Sequence, residues 1–271
     1  MNALLDERVS LRSLDVLRIL VGPIVVLHLW PFLDDARDGR IYRDRFFEPY
    51  WDWYPHLPRG IYVALLVIGA VAGVAMMIRP STRIATAVAF GVVTYNLLLS
   101  TTHIHNNRVY LVVVLGCLAS APVGAGPAWP LWLLRIEAAT VYAGSGLSKL
   151  FDPDWFGGTV TWGRVIAVED RLPSWLRSPL TDRGLHTGYA KVVVLTELFI
   201  AFGLLWRRTR VAAVVVAVAF HLVIAVTADV QVFSLLGLAA LVIWREPTRP
   251  ESQSTSLENG TAAAGTGLEN R

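Results

Sequence analysis

Ala138-Ala139-Thr140-Val141-Tyr142-Ala143-Gly144-Ser145-Gly146-Leu147-Ser148-Lys149-Leu150 reads as an apolar, small-residue helix that delivers one amine to its end. It then runs into Asp154-Trp155-Phe156-Gly157-Gly158, an acidic and aromatic turn. Apolar blocks of this kind recur along the chain, and their lengths decide the fold. A helix that crosses a bilayer needs about 20 mostly apolar residues. Stretches approaching that length lie at 13–33, 60–78, 83–102, 108–122, 129–149, 190–206, 210–227 and 230–244. The last two are short and separated only by Ala228-Asp229, which leaves room for one of them to be tilted or re-entrant. The expected fold is all-α, a polytopic transmembrane helical bundle of about 8 spans.

Composition agrees. Hydrophobic residues make up 54% of the chain and charged residues 17%, against about 25% charged in soluble domains. The net charge of +3 is carried mostly by arginines in short loops. It therefore bears on topology and points away from nucleic acid. Cys117 is the only cysteine, so no intramolecular disulfide forms, and it reads as a small apolar helix residue. The first apolar run is long, lacks a small-x-small exit site and follows Asp6, Glu7 and Arg8, so no cleaved signal peptide is expected. With a cytoplasmic N-terminus, Arg79, Arg83, Arg207, Arg208, Arg210, Arg245 and Arg249 fall inside, and the short outer loops hold only Arg108 and Asp229. This places both termini in the cytoplasm of a multi-pass cell-membrane protein.

Two long outer loops, 34–59 and 150–189, are rich in aromatics and prolines, among them Trp51, Trp53, Tyr54, Pro55, Trp155, Trp162 and Trp175. Trp and Tyr prefer the headgroup region, so these loops should cap the bundle. From Pro247 the chain turns rich in Ser, Thr, Gly and Glu without apolar period, so 1–246 is read as the membrane domain and 247–271 as a disordered tail.

Ionisable groups inside apolar spans cost about 2.5–3.5 kcal/mol each and must find partners. Asp15 and Arg18 share one helical face and can neutralise each other. Arg135 and Glu137 point to different sides, which makes Glu137 and Glu197 candidates for a polar network inside the bundle. Lys149 carries the sharpest chemistry. The small residues before it allow a helix or a ligand to approach closely, and an amine enclosed in a dry pocket gives up its proton more readily. A base near neutral pH and a lysine snorkelling to the headgroups both fit these residues. Asn106, Asn107 and Arg108 form a set suited to hold an oxyanion or a carboxylate. His103 and His105 lack a third ligand at useful spacing, so no metal is predicted. His221 falls in mid-span, where a lone histidine reads first as a satisfied interior residue.

Three segments together resemble the HTTM (horizontally transferred transmembrane) family, bacterial relatives of vitamin K-dependent gamma-carboxylase. They are Tyr142-x-x-Ser145-Gly146-x-x-Lys149-Leu150 with Trp155 and Gly158, then Asn106-Asn107-Arg108-Val109-Tyr110-Leu111, and Phe220-His221 with Phe233-Ser234. Leu14-Asp15-x-x-x-Arg18 is similar to the family's opening helix, so the resemblance covers residues 10–245. It implies a bundle in which a neutral lysine, here Lys149, acts as base on a reduced quinone of the vitamin K or menaquinone type. Asn106, Asn107, Arg108, Tyr142, Gly146, Trp155 and His221 would hold that quinone, with the site toward the outer face. Arg108 stands where the carboxylase motif has histidine, and no counterpart of the carboxylase's extramembrane domain is expected. Quinone-linked chemistry therefore transfers more readily than carboxylation of a peptide or protein substrate. The contrasting reading is a non-catalytic HTTM membrane protein in transport, immunity or assembly of a partner.

Overall fold

Leu14, Leu17, Val21, Val25 and Leu29 recur every three or four residues, and all are buried. That stripe makes α1 (Arg12–Arg37) an organising helix, packed against α2, α3, α11 and the C-terminal turn. The computed structural model describes residues 5–38, 51–78, 83–227 and 231–245. In chain order, β1 (Arg8–Ser10) precedes α1, which is followed by α2 (Arg59–Ile78), α3 (Arg83–Leu98) and α4 (Asn106–Ser120). β2 (Ala125–Pro127) leads into α5 (Trp129–Phe151), and three short helices follow, α6 (Pro153–Phe156), α7 (Thr159–Ile166) and α8 (Ser174–Thr181). The chain ends in α9 (His186–Leu205), α10 (Arg210–Thr227), α11 (Gln231–Ala240) and a 3-10 turn, Leu241–Trp244. Each apolar stretch anticipated from sequence thus corresponds to a helix.

Three segments, Arg12–Arg37, Arg59–Ile78 and Arg183–Leu205, are long and apolar enough to cross a membrane. α5 has the length but carries Arg135, Glu137 and Lys149, and α3, α4 and the last helices are shorter. Outward faces stay apolar: Ile61, Ile68, Val71, Val211 and Val215 are all exposed, as suits a surface bathed in lipid. Close helix approach comes from small residues. A Cβ on Gly22 would lie 2.5 Å from the Gly73 carbonyl oxygen, and one on Gly73 would lie 2.8 Å from that of Gly22.

Arginines close one end of the bundle by capping helix C-termini, whose last carbonyls lack partners within the helix. Arg18, fully buried, donates to the carbonyls of Leu118 and Ala121, each at 2.8 Å, and pairs with Asp15. Asp15 in turn accepts from the Gly124 amide at 2.9 Å. Arg83 reaches Ser120 O, and Arg135 reaches Ile243 O at 2.7 Å while lying over Trp132 and Trp244. Beside these caps β1 and β2 pair antiparallel, Val9 opposite Gly126. That short ladder is an addition to the all-α expectation.

The opposite end differs from expectation in the 150–189 segment, read from sequence as a loop. It folds into α6, α7, α8 and two 3-10 turns that lie across the ends of α5 and α9. In the first long loop, Trp51 and Trp53 stack at 5.3 Å and Tyr54 stacks on Tyr95; residues 39–50 of that loop, and the tail from 246 onward, lie outside the described residues.

Candidate functional site

Lys149 sits in the last turn of α5, one helical turn past Ser145. Its Nζ donates to both carboxylate oxygens of Glu197 on α9 at 2.8 Å, and also to Ser145 Oγ. Ser145 Oγ donates to Glu197 Oε1 at 2.9 Å, closing a three-residue network. Both charges are largely withdrawn from solvent, with side chains 12% and 6% exposed. Gly146 allows the helices this proximity: a Cβ there would meet Leu198 at 3.0 Å and Glu197 Cβ at 3.4 Å.

The turn after Lys149 is built to hold Trp155. Asp152 caps α6, its Oδ1 accepting from the amides of Asp154 at 2.9 Å and Trp155 at 3.2 Å. Gly158 then adopts φ 89, a left-handed conformation that favours glycine. A Cβ at Gly158 would fall 2.5–2.7 Å from the backbone of His186 and Thr187, so the turn is seated directly on the start of α9. The result places the Trp155 ring under two cations, Lys149 Nζ at 4.8 Å and the Arg164 guanidinium at 4.7 Å from its centroid. Burial draws Arg164 below its ordinary pKa, against the pull of the Glu197 charge.

These groups line one wall of a cavity of about 880 Å³. Asn106 and Asn107, at the start of α4, line it too. Its polar lining includes Lys149, Glu197, Arg164, His186 and Tyr189. Apolar side chains, among them Val109, Val193, Phe220, Ile224 and Phe233, line it as well. Glu137 also lines the cavity, and its Oε2 has no hydrogen-bond partner among the described residues.

Of the residues singled out from sequence, Asn106, Asn107, Glu137, Lys149, Trp155 and Glu197 come together around this cavity. Tyr142 and His221 lie just behind its lining, with the Tyr142 hydroxyl 2.6 Å from His221 Nε2. His221 is fully buried against Phe220, Phe233 and Gly237. Arg108 is a correction: it does not face the cavity. The cavity face of α4 carries 106, 107, 109 and 110, and a helix turns 100° per residue, so Arg108 emerges on the far side. There it donates to His103 O at 3.1 Å and lies 4.8 Å over Phe32. His103 Nδ1 donates to Asn96 O at 2.8 Å. Burial holds His103 below its ordinary pKa, the Asn96 hydrogen bond opposing and the Arg108 charge adding to the shift.

Sequence reasoning passed over Arg164 and His186. Arg164 sits on an amphipathic helix inside what read as a loop, and nothing local signals that it folds back onto Trp155. His186 holds the cap in place through Leu180 O at 2.7 Å and Thr161 Oγ1 at 3.2 Å.

Comparison with known proteins bears on this half of the chain. No curated protein and no solved structure matches the chain. The family model of the HTTM domain matches residues 119–248. The match contains the Tyr142–Lys149 segment, Trp155, Gly158, Phe220-His221 and Phe233-Ser234, and it begins beyond Asn106 and Asn107. By that match, residues 119–248 carry an HTTM domain, in a chain whose long apolar helices mark a membrane protein.

Proposed function

We propose that this protein binds a lipid-soluble reduced quinone in the cavity and that Lys149 serves as its proton acceptor. The observation that carries the reading is the Lys149–Glu197 pair, set in the wall of a cavity lined by both polar and apolar side chains. The residues fit such a ligand. The volume lies in the range of small-molecule sites, the apolar walls suit a tail, and Lys149, Asn106, Asn107 and Glu197 suit ring hydroxyls. A reduced quinone supplies two acidic hydroxyls and a pair of electrons for a subsequent oxidation.

The chain's own residues then have defined tasks. An ammonium has no lone pair, so Lys149 must first lose a proton, and the Glu197 carboxylate at 2.8 Å is the acceptor in reach. Nζ can then take the proton of a ligand hydroxyl held against it. Trp155 and the α6–α8 cap cover the pair and limit water, and Arg164 offers a guanidinium to an acidic co-substrate. The arginine distribution supports cytoplasmic termini and a Lys149 end of α5 toward the outer face, and the apolar stretches support about eight crossings.

A second reading has its own support. Nζ already donates to Ser145 O, Ser145 Oγ and Glu197, which uses its three hydrogens. A lysine so held can lock two helices around a bound lipid without chemistry, as a non-catalytic HTTM protein in transport, immunity or assembly would require. Reconstitution with reduced menaquinone-type quinones separates the two: oxygen uptake that falls with Lys149→Ala supports the enzyme. Quinone binding with no uptake above the protein-free rate supports the second reading.

A further inference from the structure

The cavity is open on its lipid-facing side. Val192 on α9 and Val223 on α10 both line it, yet they are 61% and 59% exposed. A residue that faces both a cavity and the outside stands at the rim of an opening. α9 and α10 leave the turn at 206–209 as antiparallel neighbours, and near that turn they touch. A Cβ on Gly203 would come within 2.9 Å of the Ala213 Cβ, and Thr209 and Arg210 donate to Gly203 O and Leu204 O at 3.0 and 3.1 Å. Val193 and Val223 lie equally far along their helices from that contact, roughly 15 Å at 1.5 Å per residue. They therefore sit at the same depth. At that depth the space between the helices belongs to the cavity, bounded by Val192, Val193, Val223 and Ile224.

The chemistry of the rim decides what passes. All four residues are β-branched and apolar, and the surface around them is apolar too, with Leu195 and Leu222 well exposed. A charged or strongly hydrated ligand would lose its water there without compensation. An apolar tail loses nothing on moving from lipid to such a rim. The polar groups Lys149, Glu197 and Arg164 line the same cavity, and Glu197 lies one helical turn past Val193 toward Gly203, about 6 Å along α9.

The geometry points to a lateral portal between α9 and α10, through which a lipid-dissolved ligand with a polar ring and a long apolar tail enters from the bilayer. The ring reaches Lys149 and Glu197, and the tail stays in the gap and extends into lipid. The class of ligand rests on the function proposed above; the portal rests on the rim residues alone.

The test uses the full chain in nanodiscs, with Cys117→Ala removing the natural thiol. Bimane is attached at Val141→Cys, a cavity-lining position on α5, in lipids carrying a nitroxide near the top of the acyl chain. The bilayer should quench this label, and the plugging pair Val192→Phe/Val223→Phe should abolish quenching. The milder Val192→Phe should reduce it if the pair fails to fold. The same plug should slow loading of a long-tailed quinone at least tenfold and leave a tail-less ring analogue unchanged. No quenching in the open protein, or quenching untouched by a folded plug, overturns the portal. Quenching that follows the plug while no quinone binds upholds the portal and rejects the quinone.

Discussion

Lys149 Nζ lies 2.8 Å from each oxygen of the Glu197 carboxylate, and this ion pair ties the end of α5 to α9. Both side chains are largely buried, and a buried charge stripped of its partner is costly. Glu197→Gln and Lys149→Met should each destabilise the protein by about 3–5 kcal/mol. The double substitution should cost less than the sum, with a coupling of about 0.5–3 kcal/mol. Chemical unfolding in detergent measures the cycle, and strict additivity would show that the two groups do not interact.

Arg18 offers a contrast at the other end of the bundle. It caps α4 through two carbonyls while paired with Asp15, so Arg18→Leu should cost about 3 kcal/mol or more. Lysine in its place should not restore stability, because a single ammonium cannot reproduce the guanidinium fork. Ligand affinity of the protein that remains folded should be unchanged. A selective loss of binding would place Arg18 in the functional site instead.

The α1–α2 crossing depends on missing side chains. Gly22→Ala would push a Cβ to 2.5 Å from the Gly73 carbonyl oxygen, and overpacking of this kind costs about 1–3 kcal/mol. Gly60→Ala, with nothing within 4 Å, should be neutral or slightly stabilising. Paired melting curves check the contrast.

His103 should make stability depend on pH. Its folded pKa is lowered from 6.5, mainly by burial, so the unfolded chain binds the proton more readily. The neutral ring's contribution is complete above pH 6.5 and is lost as pH falls below it toward the lowered value. Wild type should therefore lose stability between pH 7 and 5 more steeply than His103→Asn. Parallel slopes would contradict this account of the histidine.

Much of this was legible in the sequence, and the exceptions share a cause. Apolar blocks located the helices, because burial and lipid exposure act on whole runs of residues. Lys149, Trp155 and Gly158 were legible because one local turn sets their relation. Asn106-Asn107-Arg108 was not, since adjacency in sequence hides helical phase: two of the three face the cavity and Arg108 faces Phe32. The partnership of Lys149 with Glu197 was invisible for a different reason. It spans 48 residues and depends on how α5 meets α9, for which the sequence offered only the small residues before Lys149.

The most direct measurement is oxygen uptake by the protein in nanodiscs supplied with a reduced menaquinone-type quinone, alongside quinone binding read by quenching of tryptophan fluorescence. Wild type should bind and consume oxygen. Lys149→Ala should still bind but lose uptake by at least 100-fold, and Glu197→Gln should lose it in part. Equal uptake by wild type and Lys149→Ala would contradict the assignment of Lys149 as the proton acceptor.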